Sequence, residues 1–151
     1  MNAQEPTSSP SVENQEQDKR PLILAADDDL DTLNVIKLKL EAHELRVLTV
    51  RDGQEAITAV RQHQPALVIL DVMMPRLNGF QVARMIKFDP QLKATPVILL
   101  TVRTQETDRI LGTKVGADEY LTKPFDPQRL LDLVIHCLSK RKPNRTAGGS
   151  A

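Results

Sequence analysis

Residues 21–32 read PLILAADDDLDT, an apolar run that breaks without transition into acid. Every position from Pro21 to Ala26 is apolar, so a strand built from this run needs cover on both faces. Asp27, Asp28, Asp29 and Asp31 then place four carboxylates in five positions. A helix starting here welcomes one or two of them, because its first N–H groups are unpartnered and its end carries partial positive charge. The remaining carboxylates need another reason.

The same texture recurs along the chain. RVLTV (46–50), ALVIL (66–70), PVILL (96–100) and the shorter EYL (119–121) have the length of strands and are rich in leucine or β-branched residues. Between them apolar residues return at helical spacing: Leu33, Ile36 and Leu40; Ala56, Ile57 and Val60; Val82, Met85 and Ile86; Ile110, Leu111 and Val115; Leu130, Leu133, Val134, Cys137 and Leu138. Five strands alternating with five helices predict an α/β fold. It is a doubly wound, flavodoxin-like (βα)5 sandwich around a parallel sheet, with helices on both faces.

With 151 residues, 40% of them hydrophobic, the chain has room for one domain with a core. Twenty basic residues balance twenty acidic ones, so overall charge indicates neither a nucleic-acid nor a membrane partner. The first twenty residues lack the apolar stretch of a signal peptide, which predicts a cytoplasmic protein. Residues 1–20 and 141–151 are polar, or basic and then Gly/Ser-rich, and are expected to be flexible tails around a folded unit at 21–140. Cys137 sits in an apolar helical pattern and is read as a small core residue.

Ligands of such folds bind at the carboxyl ends of the strands. Asp27 and Asp28 follow the first run, Asp71 the third, Thr101 the fourth, and Lys123 comes just past the fifth. Three converging carboxylates stay ionised together only with a cation among them. A hard divalent ion with oxygen ligands, Mg²⁺ above all, suits the set better than zinc, since no His or Cys lies nearby in the pattern.

AADDD (25–29), LVILDVMMPRLNGF (67–80), VILLTVR (97–103) and GADEYLTKPF (116–125) together resemble the receiver domains of two-component response regulators, in the stand-alone, chemotaxis-regulator-like form. The resemblance covers about residues 21–140. It implies strand order 2-1-3-4-5 and a phosphoryl group accepted on Asp71 from a phosphohistidine of a sensor kinase or histidine phosphotransfer protein. It further implies Mg²⁺ held by Asp28, Asp71 and the backbone carbonyl of Met73, with Asp27 acting largely through a water. Lys123, turned inward by a cis bond to Pro124, and Thr101 would contact the phosphoryl oxygens. Tyr120 is either ordinary sheet packing or the aromatic switch of the family. Asp29 and Asp31 are left to cap and charge the first helix. Pro75, Asn78 and Gly79 read as a loop into the third helix, and His43, His63 and His136 as surface or packing residues.

Phosphoryl transfer asks for an in-line nucleophile and positive charge around the equatorial oxygens, which Asp71, Mg²⁺ and Lys123 would provide. The chain would assist its own phosphorylation and slow dephosphorylation without being a conventional enzyme. Val102 stands where relatives carry a small residue, and neither Met73 nor Arg103 readily orients an attacking water, so a long-lived acyl phosphate is expected. Leu30, where many relatives carry proline, should matter little. Shifting a two-state equilibrium from about 1:99 to 99:1 takes roughly 5.5 kcal/mol, whereas one charge-assisted hydrogen bond from Thr101 contributes roughly 1.5 to 3. A partial switch in the isolated phosphorylated domain follows.

Two other functions compete. A phosphorylation-independent docking module would have lost part of the acidic pair, Asp71 or Lys123, and none is lost. A Mg²⁺-dependent aspartyl phosphatase normally carries a second acid two residues after its nucleophile, where this chain has Met73. Output is expected through an unidentified downstream protein at the face of the fourth helix, fifth strand and fifth helix, or through a phosphorylation-dependent homodimer. No effector domain is legible after Lys140, which fits a stand-alone receiver, a relay intermediate or a fragment. Neither nucleic acid nor membrane is an expected direct partner.

Overall fold

The computed structural model describes residues 18–102, 104–105 and 116–140. Its elements follow in the order β1 (Leu22–Ala26), α1 (Leu30–Glu41), β2 (Arg46–Val50), α2 (Gly53–His63), β3 (Leu67–Asp71), α3 (Gly79–Lys87), β4 (Val97–Thr101), β5 (Glu119–Thr122) and α4 (Pro127–Lys140). The strands form one five-stranded sheet in the order β2-β1-β3-β4-β5, and every neighbouring pair is parallel. The predicted helix of Ile110, Leu111 and Val115 lies outside the described residues, as do Arg103, residues 1–17 of the first predicted tail and all of the second, 141–151. Residues 18–20 lie against β2, where Arg46 donates from Nε to the carbonyl of Arg20 at 3.0 Å.

Alternation along the strands explains their continuous apolarity. Leu24, Val68, Leu70, Val97 and Leu99 pack under Ala56, Ile57 and Val60 of α2 and Phe80, Val82, Ala83 and Ile86 of α3. Ile23, Ala25, Leu67, Ile69, Ile98 and Leu100 pack under Leu33, Ile36 and Leu40 of α1 and Leu130, Leu131, Val134 and Cys137 of α4. Successive residues of a strand point to opposite faces, so a sheet covered on both sides leaves no polar alternation to read. Cys137 is buried in this second layer, as its pattern indicates.

β3 and β4 run one residue further than their apolar runs. Asp71 pairs with Leu100, and Thr101 with Thr122, so both polar residues belong to the strands themselves. Ladder pairing carries them, because a backbone neighbour on the sheet extends a strand regardless of side-chain polarity. Both residues thereby sit on strands paired within the sheet.

Candidate functional site

At the carboxyl edge of the sheet, β1 delivers Asp27 one residue past its end. The Asp27 N–H donates to the carbonyl of Val50 at 3.2 Å, and its Oδ1 accepts the N–H of Asp29 at 2.9 Å. An aspartate that accepts the N–H two residues on forms a tight turn. That turn buries Asp27 completely and leaves Asp28 exposed. Asp71 is only 3% exposed, and carboxylate oxygens of Asp27, Asp28 and Asp71 lie within 4.8 Å of one another.

Lys123 arrives from the end of β5. Its backbone N–H donates to the Thr101 carbonyl at 2.8 Å, and its peptide bond to Pro124 is cis. Its Nζ lies 2.9 Å from Asp27 Oδ2 and 3.3 Å from Asp71 Oδ1. Asp27 Oδ2 is sealed from water and, among the described residues, pairs with this ammonium without accepting a well-aligned hydrogen bond. A buried acceptor left over among three carboxylates fits a divalent cation with oxygen ligands, because such an ion satisfies the spare lone pairs and cancels the repulsion.

Burial and the charge of Asp27 push the Asp71 carboxyl up to about 6, against the pull of Lys123. For Lys123 burial works against the charged form, yet its contacts with Asp27 and Asp71 outweigh that and hold its ammonium above the ordinary range. A carboxylate held beside a cation in this way can serve as a ligand or as a nucleophile.

Thr101 is buried at the end of β4, and its hydroxyl donates to the carbonyl of Val102 at 3.3 Å. Tyr120 pairs in register with Leu99 and is 37% exposed. Val102 and Lys123 share a groove of about 440 Å³ with Asp29, Val35, Pro124 and Phe125. Met73, just past Asp71, is exposed. His43, His63 and His136 are all exposed and stand apart from the site.

Three sequence expectations change in detail. Asp29 occupies the N-cap position of α1, but its carboxylate makes no capping bond and accepts the Thr32 hydroxyl at 2.7 Å instead. That hydroxyl bond is the main reason its carboxyl titrates low. Asn78 does cap α3, in a reciprocal box with Gln81. Gly79 is more than loop: a Cβ there would strike the carbonyl oxygen of Asp71, and its N–H donates to Val72 at 2.9 Å. Gly53 likewise leaves no room for a Cβ against the carbonyl of Leu77. The pairs Asp52-Gly53 and Asn78-Gly79, each followed by Glu or Gln two residues later, carry a helix-start signal. Nothing in that signal reports how closely the backbones approach.

The model of the response regulator receiver domain matches residues 23–135. The chain belongs to this family. PilH of Pseudomonas aeruginosa is 39% identical over 112 residues, covering 74% of this chain and 93% of PilH. The DNA-binding response regulator MtrA of Mycobacterium tuberculosis is 38% identical over 74% of this chain, which spans only 48% of MtrA. Among solved structures, the signal receiver domain of a histidine kinase from Syntrophus aciditrophicus superposes with a TM-score of 0.78 at 31% identity. That match covers 87% of this chain and 99% of the other. Receiver domains are signalling modules rather than conventional enzymes, and the acidic trio of this receiver stands at the carboxyl edge of its sheet. No helix among the described residues is long and apolar enough to cross a membrane.

Proposed function

We propose that this receiver takes a phosphoryl group onto Asp71 from a phosphohistidine of a sensor kinase or histidine phosphotransfer protein, acting in the cytoplasm. The observation that carries the reading is the trio of Asp27, Asp28 and Asp71 carboxylates at the sheet edge, with the Lys123 ammonium between Asp27 Oδ2 and Asp71 Oδ1. An Asp71 oxygen forms the O–P bond as the P–N bond to the donor imidazole breaks. The bonding pair stays on that nitrogen, and with the other ring nitrogen protonated the imidazole leaves neutral. Asp27, Asp28, Asp71 and the Met73 carbonyl would hold Mg²⁺, which when bound supplies positive charge to the phosphoryl oxygens. Lys123 offers a second cation and Thr101 a hydroxyl donor. The groove beside Lys123, with its apolar wall of Val35, Val102, Pro124 and Phe125, offers a histidine-bearing partner a place to rest.

Residues 21–140 form the folded unit in this reading, between two tails. Intact-protein mass spectrometry after incubation with acetyl phosphate, and in parallel with a phosphohistidine donor, tests it. A gain of one phosphoryl group that requires Mg²⁺ and Asp71 is expected. No gain from either donor in folded protein would leave a phosphorylation-independent docking module as the function.

The acyl phosphate should be long-lived. Val102 is 44% exposed in the groove wall and Met73 is 59% exposed, and neither offers a polar group to orient water. Decay followed by the same mass measurement should extend well beyond seconds, and Val102→Ala together with Met73→Asn should shorten it; a wild-type half-life of seconds contradicts the assignment. Phosphorylation should shift the Thr101 and Tyr120 region only partly, leaving a downstream protein or a second phosphorylated copy to complete the switch. NMR spectra of the phosphorylated domain that match the unphosphorylated state throughout would contradict this.

A further inference from the structure

We infer that the N-terminus of α2 braces the loop leaving Asp71, and that Gly53 is a positioning residue for the site; the inference rests on the Mg²⁺ reading above. The loop Val72–Asn78 is tied at its far end, where Gly79 abuts the Asp71 carbonyl and donates its N–H to Val72 at 2.9 Å. Its middle packs through Met74 and Leu77 on the layer that α2 and α3 share, and its backbone meets the start of α2. The Gly53 N–H points to the Pro75 carbonyl at 3.4 Å, and a Cβ on Gly53 would lie 2.6 Å from both the carbonyl carbon and the Cβ of Leu77. Gly53 does not sit at positive φ, so space and not backbone freedom demands glycine there.

Arg76, between those two contacts, takes φ 72°, a conformation that residues with a side chain rarely adopt. Its Nε lies 3.3 Å from Asp52 Oδ2, while Asp52 Oδ1 caps the N–H of Glu55 at 2.8 Å. One side chain therefore caps α2 and holds the strained turn. The same helix start reaches the acidic turn too, since Arg51 Nη2 lies 3.4 Å from the Asp28 carbonyl. Met73, whose carbonyl is assigned to the ion, is two residues before Pro75, and its placement depends on where that turn is held.

The test uses the full chain with Mg²⁺ as the probe, well below each melting temperature. Mg²⁺ affinity is measured by titration calorimetry, and phosphorylation by acetyl phosphate as a function of Mg²⁺ concentration. Gly53→Ala should weaken Mg²⁺ binding about tenfold, the scale for losing an outer support of a metal site. Its maximal phosphorylation rate at saturating Mg²⁺ should stay close to wild type, because Asp71 itself is held by β3. Asp52→Asn keeps a capping oxygen but drops the charge facing Arg76, and should weaken Mg²⁺ binding about twofold at low salt, the scale for an exposed ion pair, with no effect at high salt. Leu138→Ala, a partly buried α4 residue of the opposite layer, serves as the control for general destabilisation. If Gly53→Ala does not fold, Asp52→Asn and Arg76→Ala decide. Unchanged Mg²⁺ affinity in the folded variants, or an equal loss in Leu138→Ala, overturns the brace alone. Failure of the wild type to bind Mg²⁺ overturns the Mg²⁺ reading and the brace with it.

Discussion

Asp71→Asn is expected to abolish phosphoryl gain and, in the absence of Mg²⁺, to raise the melting temperature near neutral pH. Asp71 is buried beside Asp27, and its carboxyl is pushed from its ordinary 3.8 to about 6. The folded chain therefore holds the Asp71 proton more tightly than the unfolded chain. Stability from this group is complete below about pH 4 and declines as pH rises toward 6, because the folded state then carries protons that the unfolded state has shed. Above 6 the full cost of the buried charge remains. A shift of about two units sets a ceiling of roughly 3 kcal/mol, and solvent screening lowers it to about 1 to 2. Asparagine keeps the shape without the charge, so a rise of roughly 4 °C at pH 8 is expected, disappearing near pH 4. Thermal melts in EDTA across that range measure it. A variant less stable than wild type at pH 8 would mean that attraction to Lys123 outweighs repulsion from Asp27.

Lys123→Ala should have the opposite sign and a larger size. Lys123 Nζ is the cation between Asp27 Oδ2 and Asp71 Oδ1, at 2.9 and 3.3 Å. Removing one partner of a buried ion pair leaves the other charges uncompensated, at a cost of about 3 kcal/mol where burial is complete. Since the Lys123 side chain is 20% exposed, about 2 kcal/mol is expected without Mg²⁺. The ammonium of Lys123 is held above its ordinary range, so its own contribution is present at all pH values below that range and fades only in strong alkali. Without its pull, the Asp71 carboxyl should titrate higher than about 6, moving the rising limb of phosphorylation toward neutral pH. Saturating Mg²⁺ should restore most of the stability, since a divalent ion replaces the missing charge, while the maximal phosphorylation rate stays below wild type. Melts with EDTA and with Mg²⁺, beside the pH profile of phosphoryl incorporation, separate the effects. Equal melting temperatures in EDTA would show that the ammonium does not stabilise the trio.

The strand-helix alternation of this receiver is legible because each element announces its own cover. Ile23 and Leu24, adjacent in sequence, feed opposite layers, so a run such as LILAA can only be a strand buried twice. Asp27, Asp28, Asp71 and Lys123 are legible because they interrupt such runs at the end where ligands bind. Asp29 shows the limit. Its position before α1 is a helix start in any sequence reading, yet its carboxylate takes the Thr32 hydroxyl and no backbone N–H of the helix start.

The chain's order of apolar runs and carboxylates thus determined the parallel sheet, its layers and the residues gathered at its carboxyl edge. Tertiary structure alone decided that Asp27 Oδ2 is sealed beside Lys123, that burial and Asp27 push the Asp71 carboxyl upward, and that Gly53 and Gly79 press against the carbonyls of Leu77 and Asp71. The physical reason is one of range. Periodicity and helix-start signals act over a few neighbouring residues, whereas desolvation, charge proximity and backbone contact depend on segments that meet only after the strands have paired.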